Sequence, residues 1–318
     1  MKRTLSCCLA AFALATASAS LAGCKKSGED TTKPDTAGGT DTGGGGGGDK
    51  APGTPQEPDP PALADARKQF ISGQYTQVVE AMRPLLDDLK ARQQLRASGL
   101  AAAWLALALA EDVVENAKEP ADHAQAMADQ TSDPEVKIAA KLAQGTFKLK
   151  TEDFAGAAAD FEEAFNLQKD GPNAGLALLM YGNTKINMAF GGEDNSVITN
   201  PGEFDSANTS FVKAQRIAEK QAESELLGAR ALEGQAAVAR YKGNNTDACR
   251  LIGEANTIYA AKGAGQSLLD DAVALADAAN CAAGAPTDPP PADPAADKGA
   301  KGKAKGDKAD KGAKTKAK

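Results

Sequence analysis

Five cysteines and one histidine are the side chains through which this 318-residue chain could do covalent or metal chemistry. Cys7 and Cys8 lie inside an apolar run of small residues, Leu5 to Ala22, that follows the basic start Met1-Lys2-Arg3. Such a run, with positive residues before it, reads as the core of a secretory signal and is too short for a comfortable membrane span. Cys24 closes the run, directly after Leu21-Ala22-Gly23. That leaves Cys249 and Cys281 for the body, and an even pair in an exported protein points towards a disulfide. His123 stands alone, so a metal set built on His and Cys is not available. No Gly-Xaa-Ser-Xaa-Gly elbow, phosphate loop or dinucleotide fingerprint occurs. The glycine run 43–48 lacks the Lys-Ser/Thr pair and the flanking strand and helix of a phosphate site. The acidic pairs Asp87-Asp88 and Asp270-Asp271 fall beside helix ends or on outward faces and read as solvated surface. The expectation is a chain without enzymatic activity, cofactor or metal.

Leu21-Ala22-Gly23-Cys24 resembles the lipobox of bacterial lipoproteins. The resemblance implies a signal peptide over 1–23, cleavage before Cys24, a diacylglyceryl group on its thiol, and acylation of the new amine by chains such as palmitate. The mature protein would then hang from a membrane by its first residue, and several buried acyl chains at about 0.8 kcal/mol per methylene hold it there stably. Lys25 follows the Cys. In well-studied lipoproteins Asp at that place retains the protein at the inner membrane, so Lys implies the outer membrane, facing the periplasm or the cell surface. The alternative is an ordinary cut after a triplet such as Ala17-Ser18-Ala19, which leaves no anchor.

Composition divides the rest. Residues 24–62 form a lipid-anchored linker of Gly, Pro, Thr, Asp and Lys, with no aliphatic or aromatic residue larger than Ala after Cys24. Such a segment cannot offset its ordering entropy and is expected to be disordered. Residues 284–318 are a Lys/Ala/Gly-rich tail of the same kind. Its end carries nine lysines after position 297 against Asp307 and Asp310, a net charge of +7, whereas the whole chain is at −7. Spaced lysines without aromatics suit weak contact with polyanions such as anionic lipid heads, cell-wall carboxylates or nucleic acid. Without stacking residues they do not read nucleic-acid sequence.

Residues 63–283 remain for a folded body, rich in Ala, Leu and Glu, and read as all-α. The expected helices are Pro61–Ser72, Tyr75–Lys90, Gln94–Lys118, Ala121–Gln130, one from Ser132-Asp133-Pro134-Glu135 to about Lys150, and a last one over Gln266–Ala283. Leu100–Ala110, with Trp104, is apolar all round and reads as a buried core helix. Two stretches repeat. Phe154, Ala157, Phe161 and Ala164 are matched fifty residues on by Phe204, Ala207, Phe211 and Ala214, with Gly145 and Gly182 on the preceding helices. These spacings put a Phe–Ala stripe on one helical face. Weaker copies are Asn245, Ala248, Ile252, Ala255 and Tyr75, Val78, Met82, Leu85.

This pattern resembles the tetratricopeptide repeat, in which a small residue on helix A lets an aromatic-headed helix B approach. The Trp and Pro of that family's pattern are missing from the clearer units. The step from Gly182 to Phe204 is thirteen residues longer than that from Gly145 to Phe154, which implies an insertion over Gly191–Pro201. The expected fold is therefore an all-α antiparallel helix-hairpin array, a tetratricopeptide-like α-solenoid between a disordered tether and tail. By the family's pattern its concave side carries Asn183, Asn187, Arg230, Glu233, Arg240 and Tyr241 as a partner-binding groove. Cys249 and Cys281 fall at similar heights on antiparallel helices, but Cys281 shares a helical face with Ala274 and Ala278, so a bridge and two free thiols both stay open. The function expected is protein–protein interaction or assembly scaffolding in the cell envelope, with an unknown protein partner. The alternative is a spacer that holds an envelope polyanion through its tail.

Overall fold

The computed structural model of the chain describes residues 58–191, 197–221 and 225–281. Cys24, most of the linker and the tail lie outside the described residues. Within them the order is α1 (Pro61–Ile71), α2 (Tyr75–Ala91), α3 (Leu95–Leu109), a 3-10 turn (Val114–Ala117), α4 (Lys118–Thr131), α5 (Pro134–Lys150), α6 (Phe154–Leu167), α7 (Ala174–Met188), β1 (Phe190–Gly191), β2 (Val197–Ile198), α8 (Glu203–Lys220), α9 (Glu225–Tyr241), α10 (Asn245–Lys262) and α11 (Gln266–Ala278). Consecutive helices pack antiparallel, and α3, α5, α7 and α9 also pack on one another in series. The result is an all-α array of two layers, with α3, α5, α7 and α9 forming the inner one.

The turns explain how short connections can serve so many hairpins. Gly73, Gln93, Glu152, Gly243, Gly263 and Asn280 all adopt left-handed φ between 56° and 79°. In each case the next residue's N–H reaches back five residues, as from Gln74 to Gln69 and from Asp153 to Lys148. This stop satisfies the orphan carbonyls of the ending helix and reverses the chain at once. Helix starts are equally local. The Asp133 carboxylate accepts from the N–H groups of Glu135 and Val136 at 2.9 and 3.1 Å, with Pro134 at the first helical position.

Small residues set the layer spacing. Phe211 on α8 is fully buried and lies against Gly182 of α7 and Gly234 of α9; a Cβ at either glycine would stand 2.5 Å from its ring. Phe161 lies against Gly145 in the same way, at 2.7 Å. The Phe–Ala stripe is thus the contact between layers, and Gly234 supplies a second small partner that the repeat pattern did not single out.

Two expectations are corrected, and a third gains detail. The helix expected over Gln94–Lys118 ends at Leu109, and the chain reopens only as the 3-10 turn. Val113 is extended there, at φ −134°, where consecutive β-branched residues and Asn116 weaken a helix. The last helix stops at Ala278, short of Ala283. The insertion expected over Gly191–Pro201 includes β2, which pairs Ile198 with Phe190 and Val197 with Gly191.

The early stop of α11 determines the cysteines. Asn280 turns left-handed and returns the Cys281 N–H to the Ala276 carbonyl at 3.0 Å. Cys281 is therefore not on a helical face at all, and it forms a disulfide with Cys249 of α10, Cα atoms 5.4 Å apart.

Replacing Gly182 by Ala pushes on a ring that Gly234 already confines, and is expected to lower unfolding stability by about 1–3 kcal/mol. Phe211→Ala is expected to lower it by about 3–5 kcal/mol; both are read by urea denaturation followed by circular dichroism. The disulfide spans 32 residues, so Cys249→Ser is expected to lose about 3–4 kcal/mol in the same assay.

Candidate functional site

The first hairpin and the last helix meet. The Gly265 N–H donates to the Ser72 carbonyl at 2.6 Å, and the Ser267 hydroxyl donates to the Gly73 carbonyl at 3.0 Å. A Cβ at Gly73 would stand 2.6 Å from Leu268 Cγ, and one at Gly265 would stand 2.5 Å from the Gly73 oxygen. Glycine is required on both sides of this approach. At the other end of the contact, Arg67 of α1 donates to the Asn173 side chain at 3.0 Å and to the Pro172 carbonyl. Helix α1 thus joins the first hairpins to the segment before α7 and to the turn before α11.

Behind this junction lies a chamber of charged groups. Lys150, at the end of α5, pairs with Glu111, just after α3, at 2.7 Å; their side chains are 17% and 6% exposed. On α9 the buried Glu233 accepts the Tyr259 hydroxyl of α10 at 2.6 Å. One helical turn earlier, the Arg230 guanidinium lies 5.8 Å over the Phe70 ring and 3.5 Å from the Phe70 carbonyl. Phe70 in turn packs against Tyr75 and Trp104, centroids 5.3 and 6.0 Å away. Cation and aromatic face attract, and a water-poor surrounding strengthens that attraction. Asp271 of α11 completes the chamber, within electrostatic reach of Glu233, Glu111, Arg230 and Lys150.

Burial shapes the protonation of each group. It pushes the Glu233 carboxyl up, against the Tyr259 hydroxyl and the Arg230 charge that hold it down. Burial also pushes the Tyr259 hydroxyl up, followed by the Glu233 charge. Arg230 is opposed by desolvation, but the surrounding acidic and phenolic groups outweigh it and keep it charged. Asp271 is pushed up to about 7, first by burial and then by Glu233 and Glu111. The chamber can therefore hold or release a proton near neutral pH.

The six residues expected to share one groove fall in three places. Asn183 and Asn187 are half-buried on α7, and the Asn187 amide is spent on the Asn183 carbonyl at 2.9 Å. Arg230 and Glu233 face the chamber, where Phe70 of α1 and Tyr259 of α10 engage them. Arg240 donates to the Ala278 carbonyl at 3.0 Å, the last turn of α11, where a cation also suits the helix dipole. It lies over the Tyr241 ring at 5.1 Å. Tyr241 stacks on Phe204 and meets Phe190 edge-on, centroids 5.4 and 5.0 Å away. The six do not line one open channel, because Phe70 of the chain's own first helix lies against Arg230.

Asp271 is also a correction: only its neighbour Asp270 is solvated surface. A signal existed in the sequence. Asp271 stands three residues after Leu268 and four before Leu275, on the stripe that α11 buries. Asp87 and Asp88 are exposed, and Asp88 pairs with Arg92 at 2.9 Å. His123 is half-buried on α4, and burial together with Lys90 lowers its pKa, so it is neutral at pH 7. Among the described residues no group of three or more His, Cys, Asp or Glu side chains is placed to hold a metal ion, and no helix is long and apolar enough to cross a membrane. No protein-family model matches the chain, and no curated protein matches it.

Tyr259→Phe leaves the buried Glu233 carboxyl without its donor and is expected to lower stability by about 1–3 kcal/mol. Arg230→Met removes the cation that faces the same carboxyl and is expected to lower it by about 3–5 kcal/mol. Urea denaturation at neutral pH checks both.

Proposed function

We propose that this chain is a lipid-anchored envelope protein without enzymatic activity, whose helical array binds another protein and holds it near a membrane, the outer membrane by the character of Lys25. The lipobox-like Leu21-Ala22-Gly23-Cys24 supports the anchor, and the linker that follows supports a tethered body with freedom of position. The observation that carries the binding role is the hairpin after α7. Its β2 residues Val197 and Ile198 are 57% and 43% exposed. They pair with β1, whose Phe190 rests on the Tyr241 and Phe204 rings. An exposed apolar pair on an aromatic support, with Arg240 over the Tyr241 ring of that support, suits an amphipathic surface of another protein. In this reading the contact surface is the Arg240–Tyr241 end of the expected groove, reached from outside. Arg230 and Glu233 serve the interior.

A second reading rests on the nine lysines after position 297. They would hold an envelope polyanion while the helices act as a spacer.

Two measurements test the proposal. Cys24→Ala is expected to move the protein from the membrane to the soluble fraction and to abolish incorporation of labelled palmitate. Crosslinking in intact cells is expected to capture one dominant envelope protein that is lost from a Val197→Asp/Ile198→Asp double variant. An unchanged capture in that variant overturns the hairpin surface. Loss of retention on anionic envelope material when residues 284–318 are deleted, with capture intact, favours the tail instead.

A further inference from the structure

The chamber behind the first and last hairpins holds an unequal set of charges. Glu111, Glu233 and Asp271 bring three carboxylates, while Arg230 and Lys150 bring two cations. Glu111 is matched by Lys150. Glu233 takes the Tyr259 hydroxyl and faces Arg230. Among the described residues the Asp271 side chain makes no hydrogen bond or ion pair. Every wall contributes: Glu233 and Arg230 from α9, Glu111 from the end of α3, Lys150 from α5, Tyr259 from α10 and Tyr75 from α2. Tyr259, whose hydroxyl is pushed up by burial, stays neutral at physiological pH. With all three carboxylates ionised the chamber carries one unmatched negative charge, and a proton on Asp271 removes it.

The position of Asp271 links that charge to the contact between α11 and the first hairpin. It lies on α11 between Leu268 and Leu275, on the buried stripe of that helix. Leu268 is the side chain that presses on Gly73, and the turn before α11 supplies the Gly265 N–H to the Ser72 carbonyl. Helix α11 is the last of the array and packs mainly on α10. The contacts between it and the α1–α2 turn are few, so a small electrostatic bias can shift them.

We propose that Asp271 makes the junction between α11 and the α1–α2 turn a proton-dependent latch: protonated Asp271 lets α11 seat against Gly73, and its ionisation loosens that seat and admits water to Arg230 and Glu233. The direction follows from linkage. The closed form binds the proton more tightly than the open one, since closure lifts the carboxyl from its ordinary 3.8 to about 7. The contribution to closure is fully present below the ordinary aspartate value and is lost as pH rises through about 7. The latch therefore holds in mildly acidic surroundings and relaxes in mildly alkaline ones. It is independent of which partner the outer surface binds.

The test is amide hydrogen exchange on the full chain, corrected for the intrinsic effect of pH. The Gly265 N–H is the reporter, and the Ala143 N–H, in the middle of α5, is the control for global unfolding. Protection of Gly265 is expected to fall by about tenfold or more between about pH 5 and about pH 8, with Ala143 unchanged. Asp271→Asn, which carries no charge at either pH, is expected to stay protected throughout. A wild-type profile that is flat, or a fall that persists in Asp271→Asn, overturns the latch. A second measurement needs no variant: the wild-type Asp271 carboxyl is followed directly by carbon NMR. A midpoint near 7 that coincides with the Gly265 transition supports the proposal, and a midpoint below about 5 overturns it.

Discussion

The seat of α11 on the α1–α2 turn is the contact on which the interior depends. Two glycines, Gly73 and Gly265, let backbone meet backbone there, and a side chain on either would hold the elements apart. At this seat Phe70 lies under Arg230, and Glu233 and Tyr259 are buried beside it while Arg230 and Asp271 stay partly exposed. Without it those charges would lie along an open inner surface, each free to find water. A charged group in a closed chamber must be matched within the protein, which is why Arg230, Glu233 and Tyr259 interlock. Cys249–Cys281 reinforces the same place from behind by tying the end of α11 to α10.

The layers depend on a simpler rule. The array is rich in alanine and poor in large side chains, so its core cannot be filled by bulk alone. It is filled by bringing helices close and seating a large side chain on a glycine, as Phe161 does over Gly145, Phe211 between Gly182 and Gly234, and Val136 and Met127 at Gly99. Close approach raises the number of dispersion contacts per residue, and small side chains lose little entropy on burial. The same economy leaves little slack, so a single added methyl group at a crossing glycine is felt across both layers.

Inside and outside carry different chemistry. The chamber matches its own charges, which fits a part that holds the body together and responds to protons. The hairpin Val197–Ile198 is exposed and apolar beside the Phe190–Phe204–Tyr241 stack, which fits a part that meets something else. In the proposed arrangement Cys24 and the linker set where the body can reach, and the hairpin sets what it touches.

Much of this was legible locally. The helix starts at Pro61, Tyr75 and Pro134, the turn at Gly263, and the Phe–Ala stripes follow from spacing and backbone preference alone, since those signals act within a few residues. The all-α array follows from the same periodicity. What adjacency in sequence could not show is which of the polar residues on the inner helices would be solvated. Arg230 and Phe70 are 160 residues apart, and no local pattern states that α1 returns to the far end of the array. The pairing of Cys249 with Cys281 depended on a stop at Ala278 and a left-handed Asn280, a choice between helix and turn that tertiary contacts settle. Asp271 shows the division most plainly. Its sequence position put it on a helix and on the buried stripe, but only closure of the chain against itself made that stripe an interior, because desolvation is a property of what surrounds a group and not of its neighbours along the chain.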